Sequence, residues 1–329
     1  MNQKSKYEIA QTKKQLDLLQ HSDLFDNAPA GGLCLLKDEK TKQVFWRASR
    51  KIIVHNESIK NLYEPIREQG LKYFELNDIA WWNEYKERYF PTGHTLSSQI
   101  HCLNHLFALQ GDKNAVLSMV QAILPDITDI QPSPIDENDS EICKINQLPN
   151  PSYITFEFTY NNKEYLQETC NKRGARCTSV DALIYAIDNK GQYVLIPVEW
   201  KYTEHYSFED RYRASDEKIK KRYSPLTKYD NTRISEWKEY YYFDPYYELA
   251  RQTLLMEQII RNKPFTADRF EHIVVCPKDN KDMWNCAENF KESIKGEHKH
   301  FFVIDPQDLL EPVRGYDNLK RYLKTRYWE

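Results

Sequence analysis

The sequence predicts an α/β protein in which helices cover a sheet, and three features lead to that class. Two apolar runs with strand character, "VDALIYAID" and "YVLIPVEWKYT", are separated only by "NKGQ". Further short apolar runs, "EHIVVCP" and "HFFVID", alternate with stretches of helical character. Within "TLSSQIHCLNHLFALQG", Leu96, Ile100, Leu103 and Phe107 recur at the spacing of one helical face.

Taken in order, residues 3–20 have the composition of a polar helix. Residues 31–55 suggest short strands in "GGLCLL", "QVFWRA" and "KIIVH", and 58–90 are aromatic and mostly helical. The helix near 96–110 has Thr95 or Ser97 to cap its start and Gly111 after its end, and "NAVLSMVQAIL" forms a second helix. Residues 125–150, rich in prolines and acids with little periodicity, read as a loop. "SYITFEFTY" alternates like a strand, "NKRGARCTS" is a loop, and "NKGQ" turns tightly between the two longest strands. "YYELARQTLLMEQIIR" and a stretch near 282–295 supply later helices. The expected organisation is an N-terminal extension of helices and short strands over 1–90, then a main domain over 91–329. That domain carries the acidic loop 125–150 and a charged, tyrosine-rich insertion at 202–240.

Composition excludes several classes. No apolar stretch approaches the ~20 residues that span a bilayer, so no membrane partner is expected. The first twenty residues lack the apolar core of a secretion signal, which leaves the cytoplasm as the expected compartment. Seven cysteines form no CxxC pair and read as reduced thiols. His101 and His105 share a helical face, yet no HExxH pattern surrounds them, and zinc is not expected. The net charge of −3 gives no general attraction to nucleic acid. From Arg211 to Lys238, however, nine Lys/Arg face four Asp/Glu, and residues 202–247 hold ten tyrosines. Such a segment suits phosphate neutralisation and base stacking, with a solvated helical surface or a packed arm as the plainer readings.

The chemistry concentrates at one end of the expected hairpin. Asp181 opens one strand, while Glu199 and Lys201 close the next on a shared face, because side chains alternate with period two. An antiparallel hairpin sets the beginning of one strand opposite the end of the other. Two carboxylates and an amine therefore converge, a costly arrangement unless they pair or bind a metal. A hard divalent cation suits them, with a structural ion-pair cluster as the competing reading. Acid-x-Lys also occurs at Asp38, Glu84, Asp216, Glu236, Asp279 and Glu297, so the spacing means little outside this strand context.

"TSVDALIYAID" with "YVLIPVEWKYTE" resembles the active-site core of the PD-(D/E)xK nuclease superfamily, particularly a bacterial branch with "TSxD" ahead of "PVEwKYtE". The resemblance covers roughly residues 90–275. It implies a restriction-endonuclease-like central mixed sheet flanked by helices, with a mainly helical N-terminal extension. It further implies hydrolysis of phosphodiesters with Mg²⁺ or Mn²⁺, Asp181 and Glu199 as metal ligands and Lys201 as the catalytic lysine. Gln99 from "SSQIHCLN", with Asn104 nearby, and Gln252 from "ELARQTLL", next to Arg251, match polar residues that flanking helices contribute in that superfamily. Nucleic acid, DNA before RNA, is the implied partner, with Arg211, Arg213, Lys218, Lys220, Lys221 and Arg222 as its basic contacts, and a homodimer is compatible. The proline that precedes the first acid in the superfamily is Val180 here, and Pro197 interrupts the third strand. A protein that keeps the fold but only binds nucleic acid, or an interaction scaffold, is the alternative to an enzyme.

Overall fold

The structure is a computed structural model that describes residues 4–37, 41, 43–82, 90–133, 149, 151–169, 177–206, 216–229, 232–295 and 300–329. The described chain divides into two units, one built from 109–313 and the other from 4–108 with 314–329.

The larger unit is organised by a mixed sheet of seven strands. Its two longest members are β5 (Val180–Asp188) and β6 (Tyr193–Trp200). Their connection is short because Asp188 organises it. The Asp188 carboxylate accepts the Lys190 and Gln192 amides at 2.9 Å each, and Gly191 supplies the positive φ that the turn requires. The strands pair antiparallel from Ile187–Tyr193 to Ala182–Val198. On the outer side of β5 lie β3 (Ile127–Gln131) and β4 (Thr155–Phe158), one after the other along the same strand and both antiparallel to it. On the far side of β6 come β7 (Arg269–Phe270) and β8 (His272–Val275), both parallel to it, and β9 (Phe301–Ile304) runs parallel to β8. The parallel half is linked through helices, as parallel strands require. The chief one is α7 (Tyr246–Asn262), whose Leu249, Leu254, Leu255, Met256 and Ile259 are buried.

Finding β3 inside the segment read as an acidic loop is a correction. "ITDIQ" sits between prolines and acids, but Ile127 and Ile130 are buried against β5, and pairing with that strand overrides the polar local composition. Residues 134–148 lie outside the described residues. The tyrosine-rich segment also differs from a stacking surface. Tyr223, Tyr241, Tyr242, Tyr246 and Tyr247 belong to the core of this unit, gathered around Trp237. The packed-arm reading of these rings holds. Cys177 is disulfide-bonded, which corrects the expectation of uniformly reduced thiols; sequence spacing tests for CxxC pairs but not for sulfurs that meet in space.

The smaller unit contains α1 (Lys6–His21), a hairpin of β1 (Leu33–Lys37) and β2 (Val44–Ala48), α2 (Arg67–Leu76), α3 (Ser98–Leu106) and α10 (Asp317–Leu323), followed by a π turn over Lys324–Trp328. Arg326 in that turn is fully buried. It donates to the Asn61 carbonyl at 2.6 Å and Tyr322 Oη at 2.5 Å, and its guanidinium lies over the Phe25 ring. "KIIVH" is no strand of its own; Ile52 and Ile53 make only single bridges, to His94 and Ala30. Among the described residues no helix is long and apolar enough to cross a membrane.

Candidate active site

Continuing the β5–β6 register by one pair sets Asp181 opposite Glu199, as the period-two reading requires. The strand ends lock together there, since the Trp200 amide donates to Asp181 Oδ2 at 2.6 Å. Parallel pairing places Glu199 beside Val274, and the Lys201 amide donates to the Val275 carbonyl at 2.8 Å. Glu199 and Lys201 are therefore held from both sides of β6, and both are buried.

Their side chains form one cluster. Lys201 Nζ lies against Glu199 Oε1 and 2.5 Å from Glu248 Oε2. Glu248 opens α7, and Gln252 sits four residues later on the same face. The Gln252 amide donates to Glu199 Oε2 and, at 2.8 Å, to the Ser179 carbonyl. One helix thus supplies both an acid for the lysine and a donor for the buried glutamate. Arg251, its neighbour, turns elsewhere: its guanidinium lies over the Tyr247 ring and 3.9 Å from Glu168.

A further acid enters from β4. Glu157 falls in a break of the β4–β5 pairing, between Phe156–Ala182 and Phe158–Val180, at the level of Asp181. It is buried, with φ +49°, a left-handed conformation that costs a non-glycine residue of order 1 kcal/mol or more. Its carboxylate accepts the Ser179 hydroxyl at 3.3 Å.

Crowding sets the charges. Burial, then Glu157, pushes the Asp181 carboxyl up from its ordinary 3.8 to about 8, against the opposing pull of Lys201 and the Trp200 amide. Burial and the Asp181 charge likewise hold Glu199 well above the usual carboxylate range. For Lys201 the attraction of Glu199 and Glu248 outweighs burial, so it stays charged. Burial would lift Glu248 too, but Lys201 outweighs it and keeps Glu248 ionised. The result is one ammonium, one settled carboxylate, and two carboxyls that burial inclines to hold protons. Removing those protons needs additional positive charge, which is what a divalent cation brings. Among the described residues no trio of His, Cys, Asp or Glu forms a ready metal cage. A Mg²⁺-like ion needs only one or two carboxylates, because it keeps several waters.

The other residues singled out in the sequence lie as follows. Gln99 belongs to the smaller unit, where its amide accepts from the Trp82 amide at 3.1 Å and donates to the Ala80 carbonyl at 3.3 Å. Asn104, in the same unit, is bound to Tyr63, Asn61 and Tyr327. Lys218, Lys220 and Lys221 are exposed on α6 (Asp216–Tyr223), Arg222 is half-buried, and Ile219 and Tyr223 turn inward. Arg211 and Arg213 lie outside the described residues. His101 and His105 are buried beside Tyr327, and the Trp328 indole donates to His105 Nε2 at 3.1 Å. Burial keeps both rings neutral, and they form a packed aromatic cluster.

Glu168, which sequence reading passed over, fixes this neighbourhood. It is buried and accepts the Thr178 amide at 2.6 Å, the Thr178 hydroxyl and Tyr223 hydroxyl at 2.7 Å each, and Asn162 at 3.0 Å. Burial opposes its charge, but Arg251 and these hydrogen bonds win and hold its pKa below the ordinary value. Thr178 and Ser179 lead directly into Asp181, so Glu168 ties the site's entry strand to α6 and α7.

A family model described as restriction endonuclease associating with ARP matches residues 31–328. No curated protein and no solved structure matches the chain.

Proposed function

Because the chain belongs to the family of restriction endonucleases associating with ARP, we propose that it is a metal-dependent nuclease that hydrolyses phosphodiester bonds in DNA. The observation that carries this reading is the meeting of Asp181, Glu199 and Lys201 with Gln252 and Glu248 at one end of the β5–β6 hairpin. Asp181 and Glu199 are the residues that would hold Mg²⁺ or Mn²⁺, and the crowding of their carboxyl groups with Glu157 and Glu248 is the reason the cation fits. When bound, the ion supplies Lewis acidity toward the phosphate and lowers the pKa of a coordinated water.

The chain's own residues do the rest. Gln252 fixes the orientation of Glu199 through one amide bond while its other anchor, the Ser179 carbonyl, ties it to β5. Glu248 keeps Lys201 protonated and aimed, and the ammonium offsets charge that develops on the phosphorane oxygens. We assign no chemical step to Gln99. The exposed lysines of α6 neutralise backbone phosphates. The family description adds association with ARP, which we extend to this chain as a second partner.

Plasmid cleavage tests the reading. Purified protein with Mg²⁺ cuts DNA, EDTA stops it, and Asp181→Asn, Glu199→Gln and Lys201→Ala each abolish cutting. Equal activity in the three variants overturns the assignment. The closed Lys201–Glu199 pair favours one rival, a protein that binds DNA without turnover. It predicts a DNA shift in EDTA and no cleavage with any metal.

A further inference from the structure

The hairpin of β1 and β2 exposes large apolar side chains on both of its faces. Register assigns Leu33, Leu35, Val44 and Trp46 to one face, and Phe45 with Arg47 to the other. Val44 is 56% exposed, Phe45 46% and Trp46 45%, and every described residue of β2 is exposed. An isolated two-stranded hairpin is marginally stable in water, and a cluster of exposed apolar groups marks an interaction surface. Its root is firm, since the Gly31 and Gly32 amides both donate to the Ile52 carbonyl, at 2.9 and 2.8 Å, and Ile52 and Ile53 are buried. At Gly32 a Cβ would collide with the Ile53 carbonyl, so the ribbon leaves the unit at a position that only glycine fits. The fold therefore holds out a fixed ribbon whose Val44, Phe45 and Trp46 side chains are about half exposed.

Charge identifies what the ribbon meets. From Lys37 to Lys51 the sequence has six Lys/Arg against two Asp/Glu, in a chain whose net charge is −3. Arg47 and Arg50 are exposed. Apolar groups lie on both faces, and Arg47 shares a face with Phe45 rather than opposing the apolar groups across the ribbon. A flat lipid surface or a flat protein face would leave one of those faces in water. A nucleic-acid groove encloses both, with phosphates along each wall. The major groove, about 12 Å wide, admits a two-stranded ribbon, and apolar or aromatic side chains there pack on base edges and thymine methyls.

We propose that the β1–β2 hairpin is a duplex DNA-binding element separate from the basic helix α6, with Phe45 and Trp46 packing on bases and Arg47 and Arg50 on phosphates. This inference rests on the nuclease reading for the identity of the ligand, but its test is independent of cutting. Binding of the full chain to a labelled duplex is followed by fluorescence anisotropy in EDTA. The double substitution Phe45→Ser/Trp46→Ser weakens binding by about tenfold or more, the worth of about 1.4 kcal/mol of lost contact with the base edges. Arg47→Gln/Arg50→Gln lowers the slope of log affinity against log salt by about two. The second pair changes only exposed charges, so it serves even if losing both rings unsettles the ribbon. Wild-type binding that neither pair alters overturns the proposal and leaves the nuclease reading standing. So does a result in which the ring substitutions abolish self-association or vesicle binding while DNA affinity is unchanged. A wild-type chain that neither binds nor cuts any duplex overturns both readings.

Discussion

Lys201 is buried yet charged, and the reason is local: Glu199 and Glu248 both lie against its ammonium. The same crowding leaves Asp181 with a carboxyl that titrates near 8 instead of 3.8. The folded state binds this proton more tightly than the unfolded chain does, so Asp181's contribution to stability is full below pH 3.8 and is lost as pH rises toward 8. In EDTA the melting temperature is expected to fall across that window, and Asp181→Asn to flatten the fall; thermal melts at a series of pH values read it directly. Mg²⁺ is expected to reduce the same slope, because a bound cation replaces the proton. Asp181, Glu199 and Lys201 were legible from alternation and a short turn alone. Glu248 was not, although it stands one helical turn before Gln252, because nothing local says which helix crosses a strand end. Glu157 on "ITFEFTY" was legible as an acid within reach of the site, but a solvated strand face was the plainer reading; the break in the β4–β5 pairing buries it instead.

Helix α6 shows how an element is placed by a few polar bonds. Its exposed lysines depend on an inward face of Ile219 and Tyr223, and the Tyr223 hydroxyl donates to Glu168. Tyr223→Phe removes that bond while keeping the ring in its stack on Trp237. The expected loss is about 1 kcal/mol, or about 2–4 °C in melting temperature for a unit of this size. Proteolysis within α6 should quicken in that variant, and an unchanged melt and digestion pattern would dissociate α6 from Glu168. At this scale the sequence carried the long elements, β5, β6, α3, the helix Lys113–Gln121 and α7, since their periodicity is strong. It missed β3 because burial beside β5 outweighs a polar composition, and it placed tyrosines on a surface when an aromatic cluster around Trp237 takes them inside.

Across the whole molecule, charge is distributed unevenly around a slightly acidic mean. The α/β class and the mixed sheet were legible because strands alternate with helices along the chain. The assembly of 314–329 with 4–108 was not, since no local pattern announces that Arg326 stacks on Phe25 and bonds Asn61. If nucleic acid is the partner, affinity is governed by released counterions and falls steeply with salt. Replacing Lys218, Lys220 and Lys221 by Gln is expected to weaken duplex binding evenly across sequences and to reduce the salt slope by about three. Titrations at several salt concentrations check this, and an unaltered slope would remove α6 from the interface.

We propose that one cation is held between Asp181 and Glu199 at the hairpin's end. Crystals soaked in Mn²⁺ and measured at the manganese absorption edge test it most directly. An anomalous peak is expected about 2 Å from a carboxylate oxygen of each residue, with Lys201 close by. An empty site at saturating metal, with Lys201 still closed on Glu199 and Asp181 still bound to the Trp200 amide, would rule the cation out.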